Sequence, residues 1–132
     1  MTSFGTLKAD TLTHSTAGSL ATNFVVNGSA KAWAYYQQHA SNAINASLNV
    51  SSMTDNAAGD ATITYTNSMS GAGLYAVTTS GANGHVLTDD AGRDDAATAK
   101  TLAASQRLQH QSVGGTDQDG NQNSMSVLGD LA

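Results

Sequence analysis

From Ala61 to Thr66 the chain alternates one apolar residue with one threonine: Ala61-Thr62-Ile63-Thr64-Tyr65-Thr66. A period of two puts Ala61, Ile63 and Tyr65 on one side of an extended chain and the threonines on the other. A helix would scatter the same residues around its circumference, so the pattern demands a strand with one buried face. Just upstream, Asp55-Asn56-Ala57-Ala58-Gly59-Asp60 supplies residues that tolerate tight turns. Before that, Leu48 and Val50 alternate with Asn49 and Ser51. Strand, short loop and strand make a β-hairpin, and the rest of the chain has to build on that antiparallel pair.

Composition points the same way. All ten acidic residues are aspartate, and proline and cysteine are absent. Apart from alanine, strong helix formers are scarce, while Thr, Ser, Asn and Gly abound. Thr favours strands and the others favour turns. Leu, Ile, Val and Phe together make only 21 of the 132 residues, under the roughly one-fifth at which disorder becomes an alternative. Disorder also needs high net charge, and the chain carries only -5 with 11% charged residues. An ordered chain with so little large apolar volume is expected to associate, because an interface buries surface that one copy cannot. The alternative is a monomer of modest stability packed through Ala and Thr.

Several functional classes are disfavoured. The five basic residues form no cluster and the sequence pI is about 4.9, which argues against nucleic-acid binding. No apolar run reaches membrane-spanning length. The first residues lack the basic segment and apolar run of a secretory signal. Without cysteine there is neither a disulfide framework nor thiolate chemistry.

The spacing of turn signals divides the chain into an N-terminal arm, residues 1–24, and one domain, residues 25–132. In the arm, Leu7 to Leu12 reads as a strand and His14-Ser15-Thr16-Ala17-Gly18-Ser19 as a connection. A first strand of the main sheet explains the same letters. Beyond it, strands are expected near 24–27, 30–36, 47–53, 61–67, 73–79, 84–88 and 124–128. About seven or eight strands at ten-residue spacing suit an all-β antiparallel sandwich or jelly roll. The stretch 97–110 has helical composition, but Leu102, Ala104, Gln106 and Leu108 alternate, and we read it as a strand. Trp33, the only tryptophan, is read as an apolar anchor of the core rather than as a platform for a sugar ring.

Sites of chemistry are few. His14, His39, His85 and His110 stand at no short metal-ligand spacing. No G-x-S-x-G elbow occurs. Asp117, Asp119 and Asn121 place oxygens at alternate positions, a weak calcium candidate. Yet Gln122 and Leu128 occupy the places where an EF-hand needs Gly and Glu, and a turn at Asp119-Gly120 explains the same residues. The aspartates of the 89–95 run read as a solvated loop with Arg93 among them. Gly71-Ala72-Gly73 has no following Lys, so phosphate binding is unsupported. No cofactor and no catalytic residue is expected.

Three phrases carry a resemblance: Asn27-Gly28-Ser29-Ala30-Lys31-Ala32-Trp33, then Leu48-Asn49-Val50-Ser51-Ser52-Met53-Thr54-Asp55-Asn56 with Gly59-Asp60, and finally Val127-Leu128-Gly129-Asp130-Leu131-Ala132. In this order they resemble the C-terminal domain of structural proteins on tailed-phage virions, mostly tail fibres of marine and cyanobacterial phages. Thr6-Leu7-Lys8-Ala9-Asp10-Thr11-Leu12 resembles their lead-in strand. The chain departs from the pattern at Ala34 to His39, where a Gly/Asn-rich turn is usual, and at Ser70, where proline is common. The resemblance implies an all-β, trimeric, non-enzymatic virion component.

Together these readings give a homotrimeric structural protein on the capsid or tail surface. The short chain leaves no room for a long stalk, which favours a capsid decoration (cement or head-fibre) protein over a short tail fibre or receptor-binding knob. Its partners would be its own copies and the major capsid protein or tail proteins, with a host surface glycan as a further candidate. Leu7, Leu12 and Phe24 are expected to dock, and Trp33, Ile63, Tyr65, Tyr75 and Val77 to fill the core or the threefold packing. A carbohydrate-binding module using exposed Tyr35, Tyr36 and the Asp loops is the competing class.

Overall fold

The computed structural model describes residues 9–15, 18–81, 85–89 and 101–132. Thr11–His14 (β1) and Gly18–Ala21 (β2) form an antiparallel ribbon of their own, followed by the helix Thr22–Gly28 (α1). The remaining strands are Ala30–Gln37 (β3), Ala43–Leu48 (β4), Val50–Ala57 (β5), Asp60–Tyr65 (β6), Ala76–Gly81 (β7), Val86–Asp89 (β8), Thr101–Leu102 (β9), Ser105–Gln111 (β10) and Asn123–Leu128 (β11). They make a four-stranded sheet, β4-β3-β11-β7, and a five-stranded sheet, β5-β6-β10-β8 with β9 beside β10. All pairings are antiparallel. The all-β expectation holds, with one short helix.

The hairpin read from the sequence is β5–β6. Met53 pairs with Ile63 and Asp55 with Ala61. Its loop is shorter than the sequence suggests, because pairing continues to Ala57 and Asp60. Asn56 holds the end by donating to Asp60 Oδ1 at 3.1 Å and Thr62 Oγ1 at 2.9 Å. Gly59 takes the left-handed conformation there, with φ of 70°.

Two expected strands are corrected. Residues 24–27 are helical. The segment's backbone groups are satisfied by bonds at its start to the residues just ahead of the ribbon and within its own last turn, not by a sheet. Thr22 N–H and Oγ1 bond to the carbonyls of Asp10 and Ala9, and Ser29 N–H closes the last turn on Val25 O at 3.1 Å. The expected strand 47–53 is two strands in two sheets. The break is at Asn49, whose φ is 54°, a conformation Asn tolerates better than most residues. Its side chain fixes the corner, accepting from Asn67 N–H at 2.7 Å and donating to Asn67 O at 3.0 Å. The expected 73–79 and 84–88 strands begin later, at Ala76 and Val86. The single strand expected over 97–110 is broken by a turn at 103–104 into Thr101–Leu102 and Ser105–Gln111, which pair with each other; 97–100 lie outside the described residues.

The two larger sheets face each other over one core. Ala32, Ala34, Tyr36, Met125 and Val127 come from one side, and Ala61, Ile63, Tyr65, Leu87 and Leu108 from the other. Trp33 is not among them, which corrects its reading as the core anchor. Ala32 and Ala34 pair with Val127 and Met125, the apolar side of β11, so register turns Trp33 outward opposite Ser126. Aromatics still anchor the core: Tyr75 meets Tyr65 edge-on, centroids 6.1 Å apart, and its hydroxyl donates to Leu102 O at 2.8 Å. Large apolar side chains are supplemented inside by Gln106, His110 and Asn123, all buried.

Candidate interaction surface

The N-terminal ribbon and helix keep their apolar side chains in solvent. Leu12 and Leu20 stand opposite each other in the ribbon, and both are exposed. In α1, Phe24 is 65% exposed, with Val25 and Val26 beside it. A seven-residue helix without a side-chain cap has little intrinsic stability. It is held at its start by Ala9 and Asp10 and at its end by Lys31, whose Nζ donates to Val26 O and, at 2.9 Å, to Ser29 Oγ. Two of the expected docking residues, Leu12 and Phe24, thus lie on one unit; Leu7 lies outside the described residues. Sequence reading missed Leu20, Val25 and Val26. The signal was present, since three large apolar residues in a row in a chain so poor in them need a use.

The outer face of the four-stranded sheet is the second surface. Lys31, Trp33 and Tyr35 follow one another along β3, Leu48 lies opposite Trp33, and Ser124 and Ser126 lie on the other flank. Tyr35 is 38% exposed and Leu48 is exposed, while Trp33 is half-buried. Beyond them, Thr78, Thr79, Ser80, Ser124, Met125 and Ser126 line a shallow depression of about 120 Å³. Tyr36 is not part of this face. It is 0% exposed, and burial pushes its hydroxyl above the ordinary phenol range. This corrects the expectation of an exposed Tyr35–Tyr36 pair, since neighbours on a strand point to opposite faces. Of the other expected packing residues, Ile63 and Tyr65 are in the core, and Tyr75 and Val77 pack against it.

The loop after β10 does structural work with the side chains considered for calcium. Asp117 Oδ1 accepts from Gln109 Nε2 at 2.8 Å and Gln111 Nε2 at 2.7 Å, pinning the loop to β10. Asp119 Oδ1 accepts from Gly59 N–H at 2.8 Å, tying it to the hairpin turn. Asn121 is exposed. No group of three or more His, Asp, Glu or Cys able to hold a metal ion occurs among the described residues. Asp89 ends β8, and 90–95 lie outside the described residues. On the outer face of the five-stranded sheet, Arg107 grips Asp60 with two donors, Nε at 2.7 Å and Nη2.

His85 and His110 stack, with centroids 4.8 Å apart and ring planes tilted by 16°. Ring lone pairs lie in the ring planes, so near-parallel stacked rings do not aim them at one ion. No helix among the described residues is long and apolar enough to cross a membrane. Comparison with protein-family models, curated proteins and solved structures finds no match to this chain.

Proposed function

We propose that this chain is a non-enzymatic structural protein on the surface of a tailed-phage virion, of the capsid-decoration type, acting as a homotrimer. The observation that carries the reading is the N-terminal ribbon and helix, which display Leu12, Leu20, Phe24, Val25 and Val26 to solvent in a chain that can spare few large apolar residues. Such a cluster is stabilised by being covered. Its neighbours in the assembly would be other copies and the major capsid protein. The mechanism is mechanical: the arm adds buried area between adjacent shell subunits, and association raises the stability of the whole. The phrases at 27–33, 48–60 and 127–132 support a virion role, and they support equally a short tail fibre or receptor-binding knob attached through the same arm.

The test is deletion of residues 1–28, read by light scattering and by incorporation into virions. The expected result is a folded sandwich that is monomeric and fails to join particles. A full-length chain that is monomeric at micromolar concentration, or a truncated one that reaches full occupancy, refutes the proposal. Electron microscopy of labelled virions separates shell from tail.

A carbohydrate-binding module is the second reading. Trp33 and Tyr35 favour it, on one face beside hydroxyl-lined Ser124 and Ser126, because a flat aromatic stripe with adjacent hydroxyls suits sugar stacking and hydrogen bonding. As Trp33 is the only tryptophan, its fluorescence reports this face. A saturable change with soluble host polysaccharide is expected on this reading, and no change counts against it.

A further inference from the structure

The interior is apolar and aromatic around Tyr65 and Met69, but at the other end one cross-section is polar on both sides. In the four-stranded sheet, Gly81, Asn123 and Tyr36 stand side by side in register. His110 reaches toward them from the facing sheet. A Cβ on Gly81 would stand 3.2 Å from His110 Cδ2 and 3.3 Å from Nε2, so the glycine makes room for the ring. Gly120 does the same for Asn123, whose amide lies within 2.5 Å of where that Cβ would be. Asn123 and Tyr36 are 0% exposed, His110 is 2% and Gln38 is 4%. Gln38 follows Tyr36 by two residues, and its N–H donates to Gly120 O at 2.9 Å.

These side chains are held in place but incompletely bonded. Asn123 Oδ1 and Nδ2, Tyr36 Oη, Gln38 Oε1 and His110 Nε2 have no protein partner. The other nitrogen of His110 settles what Nε2 can do. Its Nδ1 lies 2.7 Å from Gln118 O, and a carbonyl can only accept. In the neutral ring Nδ1 therefore carries the proton, and Nε2 presents a lone pair to the interior. Buried polar groups are almost always partnered, by protein or by ordered water.

We infer that this end of the interior is a hydration site, where a small cluster of ordered water bridges Asn123 to His110 Nε2, Tyr36 and Gln38. The mixture of groups selects the ligand. Asn123 Nδ2 donates, Tyr36 donates or accepts, and Asn123 Oδ1, Gln38 Oε1 and His110 Nε2 accept. Water offers donors and acceptors to match both kinds. An anion would meet mostly acceptors. A cation would find no carboxylate among these unpartnered groups, and the stacked planes of His85 and His110 do not converge on one point. An apolar ligand would leave every group unbonded. The site rests on packing within the sandwich and is independent of any role in a virion.

Two measurements on the intact protein test it: a crystal structure at a resolution that shows water, and NMR cross-relaxation between water and the side-chain amide protons of Asn123. Expected are water peaks within hydrogen-bond distance of Asn123 and His110 Nε2, and cross-peaks whose sign reports residence longer than a nanosecond. An Asn123 amide bonded directly to His110 Nε2 and Tyr36 Oη, with no water peak between them, overturns the inference. Tyr36→Phe removes one bridging hydroxyl while keeping the ring. It is expected to shorten the residence of water at Asn123, and an unchanged cross-peak overturns the bridge to Tyr36.

Discussion

Gly59 and Gly73 share a φ of 70°, yet alanine should affect them very differently. An L residue in this conformation costs ~1–2 kcal/mol, partly offset by ~0.4–1 kcal/mol from the less flexible unfolded chain. At Gly73 nothing lies within 4 Å of an added Cβ, so Gly73→Ala should cost only about 0.5–1 kcal/mol net. At Gly59 the Cβ would stand 2.3 Å from His110 O and 2.8 Å from Gln118 N, both backbone atoms. The turn must move, which strains the bond from His110 N–H to Gly59 O at 2.7 Å and that from Gly59 N–H to Asp119 Oδ1 at 2.8 Å. A neutral bond contributes ~1 kcal/mol and one to a charged group ~1.5–3 kcal/mol. Gly59→Ala should therefore cost about 3–5 kcal/mol, a large part of a domain's usual ~5–15 kcal/mol. Urea unfolding followed by Trp33 fluorescence measures it. With a slope of ~2 kcal/mol per molar urea, the midpoint falls by about 2 M for Gly59→Ala and by about 0.5 M or less for Gly73→Ala. Equal shifts in the two variants would refute the reasoning.

Other outcomes follow from the same packing. Ile63→Ala, inside the core, is expected to cost ~2–5 kcal/mol, and Trp33→Ala less, because Trp33 is half-buried on the outer face; calorimetry of both variants decides. Burial raises the tyrosine pKa values of Tyr36, Tyr65 and Tyr75 above 10.0. The folded state then holds protons that the unfolded state releases, so this contribution is complete below pH 10 and is lost as pH rises beyond it. Tyrosinate absorbance of the buried rings should appear only as the chain unfolds, whereas early titration of all four tyrosines would contradict this. Asn49→Val removes the side chain bonded to Asn67 and forces a β-branched residue into positive φ; a loss of about 2–4 kcal/mol is expected in chemical denaturation.

Much of the fold was legible in local patterns. The alternation through Ala61, Ile63 and Tyr65 marks the buried face of β6, and the turn residues after Asp55 mark the hairpin. The readings that failed did so where partners outside the local window decide. Phe24, Val25 and Val26 have strand-forming side chains, but they lie in α1, whose ends are held by bonds with Ala9, Asp10 and Lys31. Alternation in β3 sorts Trp33 from Ala32 and Ala34 without saying which set faces inward. Only pairing with Met125 and Val127 decides that, and it sends the larger residue outward. The expected boundary after residue 24 falls inside α1, and the exposure of the apolar side chains around it was not legible.

What the amino-acid order determined unaided was the kind of structure: pleated strands, close turns and a scarcity of large apolar side chains, because backbone preference and side-chain period act over a few residues. What the tertiary structure alone decided was allegiance. Asn49 passes one run of chain from one sheet to the other, register chooses which face of β3 is dry, and Gly81 leaves room inside for the His110 ring. Each of these depends on atoms 18 or more residues apart in the chain, and such distances are closed only when the two sheets pack.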